Sequence, residues 1–345
     1  MIDVLIVSLG STAGLRAVED ELLGALRRAG ARAEIARARP PRPVRTLMLT
    51  DLAWALAARS AARQALAREP ARALVYSTST AALLWPRRGA IRFDALAAAN
   101  RPGRHGLWQR PLERLRLGQA TLLMPQSAAA LQELPPRSRE RWSPSLVVPV
   151  PVEPSGERRG ERDIAAITYA ANPHKKGLDL VLAAWASAHR PGEQLIVAGV
   201  EGPALDAFAA GARLDGVRAV GALAAADYRA LLRRSRVYVC AARREDYGIA
   251  QLEALVDGCV LVSLPSPGPY AALALARELD ARLVGEDLGA MVRIALDDPS
   301  PGYAERALEA LAPFRRAAVD RLVAQELLPR LLGSAAPGAA PGFLA

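Results

Sequence analysis

The chain has 345 residues, of which 51% are hydrophobic, so it is long enough for two domains and extended disorder is not expected. No uninterrupted apolar run reaches the ~18 residues needed to span a bilayer. The first residues lack the basic region of a signal peptide. We therefore expect a cytoplasmic protein, with peripheral contact at the inner face of the membrane as an option.

The net charge of +10 is unevenly distributed. Residues 1–150 carry 23 arginines against 11 acidic residues, a net charge of +12, whereas residues 151–345 have a net charge of −2. A basic half attracts an anionic partner such as a phospholipid surface, a nucleic acid or a phosphorylated substrate. Solvated arginines on helix surfaces are the alternative explanation. A nucleic acid ranks last, because the sequence contains no known reader module.

The cysteines and histidines predict neither a disulfide framework nor a metal site. Cys240 and Cys259 both lie in apolar runs, as in proteins of a reducing compartment. His105, His174 and His189 lack metal-ligand spacing, and the sequence has no Asp-x-Asp. We expect no tightly bound metal and no other cofactor.

Strands and helices alternate through the first half. A strand at residues 2–7 leads into a turn that contains Gly10, Ser11 and Gly14, and then into a helix that ends at Gly30. This β-α-β opening is typical of a nucleotide-binding half, but G-x-G-x-x-G is absent, so Gly10 and Gly14 can equally be plain turn residues. Further strands are predicted at residues 31–36, 73–77, 90–94, 120–125 and 146–148, and helices at 47–68, 79–84 and 111–117.

A polar stretch lies between the fourth predicted strand and the helix at 111–117. It begins near Asp94 and includes Asn100, Arg101, Arg104 and His105. Such a loop predicts a wall of a substrate site. A surface loop with a packed tryptophan is the alternative.

The alternation restarts after residues 149–162, a proline-rich and then charged segment that we interpret as the domain boundary. Strands are predicted at residues 164–169, 195–198, 217–220, 236–242, 260–263 and 281–284, helices at 178–188, 203–210, 225–234, 287–297 and 303–332, and a flexible tail at 333–345. The pattern predicts an α/β protein with two doubly wound parallel sheets, 1–150 and 151–332, facing each other across a cleft. The last helix is free to pack back on the first domain.

The stretch Arg-Glu-Asp-Tyr-Gly-Ile-Ala-Gln-Leu-Glu-Ala-Leu, from Arg244 to Leu255, joins an apolar strand to a helix. Glu245 falls in the loop and Glu253 about two turns along the helix, so both carboxylates can face one crevice. Gly248 permits close approach of a ligand or a positive φ. Ligands of open α/β sheets bind beyond the carboxyl ends of the strands, where a helix N-terminus offers free N–H groups to an anion.

This frame resembles the E-x7-E region of retaining glycosyltransferases with the GT-B fold, particularly family 4. The sequence Asn-Pro-His-Lys-Lys-Gly at residues 172–177, followed by an apolar helix, is similar to the basic loop of that family. The resemblance extends over most of the chain and is specific over about residues 164–262. It implies metal-independent transfer of a hexose-type sugar from a UDP- or GDP-linked donor to an acceptor hydroxyl.

The resemblance also implies roles for individual residues. Lys176 would stabilise the leaving diphosphate, Glu245 would lie near the transferred sugar, and Glu253 would accept the ribose hydroxyls. Asp94 and His105 are candidate general bases, although the leaving phosphate oxygen can itself take the acceptor's proton. The remaining implied donor-binding residues are His174, Lys175, Gly199, Gly221, Tyr247, Gly248 and Ile249. On the acceptor side they are Gly10, Ser11, Gly14, Asn100, Arg101 and Arg104.

Two positions depart from the family pattern. Ala171 lies where an arginine usually precedes Lys176 by five residues, and Tyr270 lies where an acidic residue usually ends a G-G-x-x-E sequence. They support a second hypothesis, a non-catalytic GT-B protein that binds sugar nucleotides or docks a partner. The first hypothesis remains a glycosyltransferase with an anionic, phosphorylated or lipid-linked acceptor glycan, contact with anionic membrane and no nucleic-acid partner.

Overall fold

The computed structural model describes residues 1–42, 44, 46–101, 103–134, 142–157, 162–209 and 214–333. The chain divides into two units. Unit 1 consists of Met1–Pro151 and the chain from Arg316 onward, and unit 2 is Val152–Arg315.

Unit 1 contains a parallel five-stranded sheet. Its strands are β1 (Ile2–Ser8), β2 (Ala33–Arg37), β3 (Ala71–Tyr76), β4 (Ala90–Phe93) and β5 (Leu123–Pro125), in the order β2-β1-β3-β4-β5. The central strands are apolar almost throughout and buried, because helices cover both faces of the sheet. The strand order reverses between β1 and β3, so the loops after these strands flank the switch point of this sheet.

Four helices of unit 1 begin at a serine or threonine N-cap. Between Met1 and Pro151 the helices are α1 (Ala13–Arg28), α2 (Leu47–Arg68), α3 (Ser79–Ala82), α4 (Ala97–Asn100), α5 (Gln109–Gln119) and α6 (Ala128–Gln132). Thr12, Thr46, Thr78 and Ser127 each accept a hydrogen bond from a backbone N–H group in the first turn of α1, α2, α3 and α6. These caps satisfy donors that have no partner within the helix.

Unit 2 repeats the architecture. Its parallel strands are β6 (Ile164–Tyr169), β7 (Leu195–Ala198), β8 (Val217–Ala219), β9 (Ser235–Cys240) and β10 (Val260–Ser263), in the order β10-β9-β6-β7-β8. Its helices are α7 (Leu178–Ala188), α8 (Gly202–Ala209), α9 (Ala225–Arg234), α10 (Ile249–Val256), α11 (Ala271–Leu279), α12 (Leu288–Asp297) and α13 (Tyr303–Ala310). The strand order reverses between β6 and β9. The predicted α/β class with two parallel sheets is confirmed.

The C-terminal segment is part of unit 1. It comprises α14 (Arg316–Leu322), a π-helical turn (Val323–Leu327) and α15 (Leu328–Leu332). Val319, Val323 and Leu327 are buried in a core cluster with residues of β1 and β3. Arg28 on α1 bonds both carboxylate oxygens of Asp320, at 2.7 and 2.8 Å. The apolar pattern alone leaves open whether this last helix joins the first domain.

Three element predictions are wrong. Residues 146–148 form no regular strand: the N–H groups of Leu146 and Val148 each donate to a carbonyl of β5, at 2.9 Å, but the pairing is limited to a single bridge between Ser145 and Leu123. Residues 281–284 form a 3₁₀ helix (Ala281–Leu283), since the Asp280 side chain accepts the N–H of Arg282. The predicted helix 303–332 is interrupted at the 3₁₀ turn that contains Pro313.

One further difference concerns a segment predicted as a loop. The polar stretch after Asp94 contains α4 and a 3₁₀ helix (Gly103–Gly106). The predicted tail lies outside the described residues except for Gly333.

Candidate functional site

The switch point of unit 2 brings two loops together. The β6 loop (residues 170–177) and the β9 loop (residues 241–248) follow neighbouring strands, so both lie at the carboxyl edge of the sheet. Gly177 has a φ of 63°, and a Cβ atom there would lie 1.9 Å from the carbonyl oxygen of Ala241. Arg243 donates its backbone N–H to the carbonyl of Lys175 at 3.0 Å and its guanidinium to that of His174 at 2.6 Å. The backbones of the two loops are therefore in direct contact.

Replacing Gly177 by alanine is expected to push the β6 and β9 loops apart, because the new methyl group would overlap the Ala241 carbonyl. Gly192→Ala is the matched control. Gly192 also has a positive φ (87°), but a Cβ atom there would meet no atom of the described residues within 4 Å. The control carries only the strain of a left-handed residue, about 1–2 kcal/mol. Chemical denaturation should show a clearly larger loss of stability for Gly177→Ala. Equal losses in the two variants would contradict this contact.

Lys176 and Glu245 form an ion pair between the loops. Lys176 Nζ lies 2.6 Å from Glu245 Oε2, and the two side chains are 21% and 9% exposed. Gln251 Nε2 donates a hydrogen bond to the same carboxylate oxygen at 3.0 Å. Because solvent screens a partly buried pair less than a surface pair, these contacts hold both charged groups beyond the ends of β6 and β9.

Lys175 and Arg244, two other basic residues near Lys176, share the carboxylate of Asp246. Lys175 Nζ lies 3.4 Å from Asp246 Oδ2, and Arg244 Nε donates to Asp246 Oδ1 at 2.9 Å. Ala171, where the family pattern predicts an arginine, is exposed. Arg243 of the β9 loop is paired with Asp179, so each of these basic side chains has a carboxylate partner.

The N-terminus of α10 is shaped by close backbone contacts. Gly248 has a φ of 85°, and a Cβ there would lie 2.6 Å from the ring of Tyr270. The Tyr247 carbonyl accepts the N–H of Ala271 at 3.1 Å. Ile249 is the first residue of α10. A substituted residue at position 248 would displace the start of the helix.

The loop after β10 supports the backbone of Glu245. The N–H of Glu245 donates to the carbonyl of Pro267 at 3.0 Å. Gly268 has a φ of 113°, and a Cβ at this position would lie 2.3 Å from the Glu245 carbonyl oxygen. The loop that lacks the family's final acidic residue therefore fixes the main chain of Glu245.

Gly199 and Gly221 lie at the ends of β7 and β8, on one side of the β6 loop. The N–H of Gly199 donates to the carbonyl of Gly221 at 2.7 Å. A Cβ on Gly199 would lie 2.8 Å from the N atom of Ala171. These glycines allow the turns after three neighbouring strands to approach one another.

Glu253, on α10, contacts a buried polar cluster. Arg229 Nη1 lies 3.4 Å from Glu253 Oε1, and its Nε donates to Asp257 Oδ2 at 2.6 Å. Asp257 also accepts the backbone N–H and the hydroxyl of Ser155, both at 2.8 Å. Burial raises the pKa of the Glu253 carboxyl, and the charge of Asp257 adds to this effect, whereas Arg229 opposes it. Ionisation of Glu253 therefore costs more free energy than ionisation of a solvent-exposed glutamate.

In unit 1, three predicted acceptor-side residues surround the turn after β1. Gly10 has a φ of 59°, and its carbonyl accepts a hydrogen bond from Arg16 Nη1 at 2.7 Å. Ser11 and Gly14 are exposed. These residues lie at the switch point of this sheet, which is the position expected of a ligand-binding turn.

The polar stretch contains both exposed and paired residues. Asp94, Arg104 and His105 are exposed. Arg101 makes a two-bond contact with Asp51 of α2, at 2.6 and 3.0 Å, so its guanidinium connects this stretch to α2. The other members of the predicted acceptor side are half-buried Asn100, at the end of α4, and the glycines and serine after β1.

Comparison with known proteins gives a fold and a partial family match. Residues 162–294 match the profile of a family described as "Glycosyl transferases group 1", and a sequence search finds no match among curated proteins. WaaG, a glycosyltransferase involved in lipopolysaccharide biosynthesis, aligns with a TM-score of 0.69 at 16% identity, covering 96% of this chain and 100% of WaaG. The fold is GT-B.

Two other GT-B structures align over a similar length. Sucrose-phosphate synthase from Thermosynechococcus elongatus has a TM-score of 0.66 at 16% identity, with 96% of this chain and 99% of that chain covered. HepE from Anabaena, in complex with UDP and glucose, has a TM-score of 0.68 at 13% identity, with 95% and 99% covered. At these identities the likeness establishes the GT-B fold alone.

Several contact residues of this GT-B site were not predicted from the sequence. Gln251 and Arg229 lie on helices and Asp257 directly follows α10, and polar residues at such positions are ordinarily solvent-exposed. The helical period places position 251 on the apolar face of α10, so a glutamine there was the sequence signal that could have identified it. Arg229 precedes Glu253 by 24 residues, and no local pattern connects them.

The described residues contain neither a cluster suited to a metal ion nor a helix suited to span a membrane. No group of three His, Cys, Asp or Glu side chains there is arranged to hold a metal ion. No described helix of this GT-B chain combines the length and the apolar character required to cross a membrane. Cys240 and Cys259 are both buried free thiols.

Proposed function

We propose that the chain is a retaining glycosyltransferase of the family 4 type that moves a hexose-type sugar from a UDP- or GDP-linked donor to an acceptor hydroxyl. The observation that carries this proposal is the Lys176–Glu245 pair, at 2.6 Å, on adjoining loops at the switch point of unit 2. This pair lies beside the N-terminus of α10, and Glu253 lies further along the same helix. All three residues fall inside the segment that matches the glycosyl transferase profile.

The proposed chemistry follows from the charges at this point. Breaking the bond between the anomeric carbon and the diphosphate oxygen leaves negative charge on the diphosphate. In this proposal Lys176 and the N–H groups at the N-terminus of α10 stabilise that charge. The acceptor hydroxyl forms the new bond on the same face of the sugar, and its proton passes to the departing phosphate oxygen. The proposal assigns no step to a metal or a cofactor, and it needs no protein nucleophile.

Glu253 has the proposed role of accepting hydrogen bonds from the two ribose hydroxyls. An ionised carboxylate accepts both, whereas a protonated one has lost its charge and is a weaker partner. The pKa of Glu253 lies above its ordinary value of 4.5 because of burial. Nucleoside diphosphate affinity should therefore fall as the pH drops from neutral through this raised pKa, before ordinary surface glutamates are protonated.

Calorimetric titration of a nucleoside diphosphate at several pH values between 5 and 8 measures this effect. The same series on Glu253→Gln, which cannot ionise, gives the background pH dependence. A wild-type profile as flat as that of Glu253→Gln would remove Glu253 from the ribose site.

The acceptor is proposed to bind unit 1 and to be anionic, phosphorylated or lipid-linked. Residues 1–150 have a net charge of +12, and the arginines of this half are accompanied by exposed apolar side chains. The exposed leucines are Leu49, Leu56, Leu107 and Leu115. Basic residues mixed with exposed leucines suit an anionic membrane surface, so we propose a cytoplasmic location with peripheral membrane contact. Failure to bind anionic liposomes at low salt would rule out the membrane part of this proposal.

The competing function is a non-catalytic GT-B protein that binds sugar nucleotides or docks a partner. It is favoured by the absence of the arginine at position 171 and by the pairing of Lys175 with Asp246. Incubation with UDP- and GDP-linked hexoses, with detection of the released nucleoside diphosphate, distinguishes the two functions. Release at a steady rate, by transfer to water or to an added acceptor, supports the transferase, and donor binding without hydrolysis or transfer supports the non-catalytic protein.

A further inference from the structure

Gln251 is a polar side chain on the buried face of α10. It is 2% exposed, and its neighbours Leu252, Ala254, Leu255 and Val256 on this short helix are buried as well. A buried amide is costly unless its polar atoms are hydrogen-bonded. A glutamine at this position therefore needs a partner that compensates for its burial.

The amide nitrogen has two partners. Gln251 Nε2 donates to Glu245 Oε2 at 3.0 Å and to Cys240 Sγ at 3.1 Å. Cys240 is the buried last residue of β9, so the amide is anchored to the core of the sheet. Both N–H groups of the amide are used by these two bonds.

Glu245 determines the orientation of this amide. Turning the amide over would place its oxygen against a carboxylate oxygen, which cannot donate a hydrogen bond. In the orientation present, the buried Gln251 Oε1 has no hydrogen-bond partner among the described residues. The side chain thus leaves its own acceptor unsatisfied while it holds the carboxylate of Glu245.

Glu245 is consequently held from two sides by groups of different kinds. Lys176 approaches from the β6 loop, whereas Gln251 approaches from the helix beneath. In the proposed reaction the ammonium of Lys176 is required by the diphosphate, and of these two groups the amide then remains to keep the carboxylate in place. We propose that Gln251 is a positioning residue that fixes Glu245 toward the donor's sugar independently of Lys176. This inference rests on the proposed function.

Gln251→Leu tests the role, because leucine fills a similar space and donates no hydrogen bond. We expect the dissociation constant for the intact nucleotide sugar to rise about 10-fold or more, as for loss of a hydrogen bond to a charged group. The dissociation constant for the free nucleoside diphosphate should change less than about 2-fold, since the affected group faces the sugar. Gln64→Leu, the same exchange at an exposed position of α2, should change neither value.

Gln251→Glu provides a second measurement. It places a carboxyl group against Glu245, so the two compete for ionisation, and nucleotide-sugar binding should improve relative to the wild type as the pH is lowered from 8 toward 6. A purely structural role would weaken both ligands equally and would not alter the pH profile. Equal loss for both ligands in Gln251→Leu, or an unshifted profile in Gln251→Glu, would overturn the inference. If the wild type binds neither nucleoside diphosphates nor nucleotide sugars, the proposed function itself fails, and the role of Gln251 fails with it.

Discussion

Lys176→Ala is expected to lower the rate of nucleoside diphosphate release from the donor by about 10²–10³-fold, the usual effect of removing one charge-stabilising group from an active site. The ammonium group is 2.6 Å from Glu245, on the loop that precedes α7. In the proposed reaction it balances the charge of the leaving diphosphate. Removing it also leaves the mostly buried Glu245 carboxylate without its ion-pair partner. Initial rates of release from UDP- and GDP-linked hexoses measure the effect.

Lys175→Ala is the matched control for this experiment. Lys175 is the preceding residue, 48% exposed, and lies 3.4 Å from Asp246. Exposed pairs of this kind contribute little, so its replacement should reduce the rate by less than about 10-fold. Equal losses in the two variants would indicate a general requirement for positive charge in the β6 loop and would contradict a specific role for Lys176.

Asp257→Ala is expected to cause the largest loss of stability, about 3–5 kcal/mol, because it removes one partner of a buried ion pair. The Asp257 side chain is completely buried (0% exposed) and accepts three hydrogen bonds, two from Ser155 and one from Arg229. Without it, the Arg229 guanidinium, itself only 14% exposed, keeps a single carboxylate contact, Glu253 at 3.4 Å, among the described residues. Denaturant unfolding followed by the fluorescence of Trp185, in unit 2, measures the change.

The exposed pair of Asp163 and Arg234 supplies the control for Asp257→Ala. The Asp163 side chain is 51% exposed and bonds to Arg234 at the surface of the same unit. Asp163→Ala should leave the unfolding midpoint almost unchanged. If Asp257→Ala behaves like Asp163→Ala, the cluster around Asp257 contributes nothing to holding residues 153–155 against α10.

Elements defined by local signals were predicted well from the sequence. The helix at 178–188 begins directly after Gly177, and the helix at 47–68 has the predicted bounds. The segments that differ depend on interactions that the apolar pattern does not contain. Residues 281–283 turn into a 3₁₀ helix because of the Asp280 side chain, and the run at 146–148 bonds to β5 without forming a regular strand.

Of the candidate site, only residues marked by their spacing within a short segment could be predicted from the sequence. The eight-residue separation of Glu245 and Glu253 marks them in the sequence, whereas the Lys176–Glu245 contact joins residues 69 apart. The partner of Arg101 is similar, because Asp51 precedes it by 50 residues. The helical period places Gln251 on the apolar face of α10, but its contact with Glu245 depends on how α10 packs against β9. Tertiary contacts of this kind have no local signature.

The central claim is that unit 2 binds the nucleoside diphosphate part of a sugar donor. Thermal unfolding of the wild type and of Glu253→Ala with UDP, GDP and ADP tests it most directly. A ligand present at a hundred times its dissociation constant should stabilise the folded protein by about 2.7 kcal/mol. We expect one of these nucleotides to stabilise the wild type, and the effect to be lost in Glu253→Ala. Absence of stabilisation by all three, or equal stabilisation of both proteins, would contradict the claim.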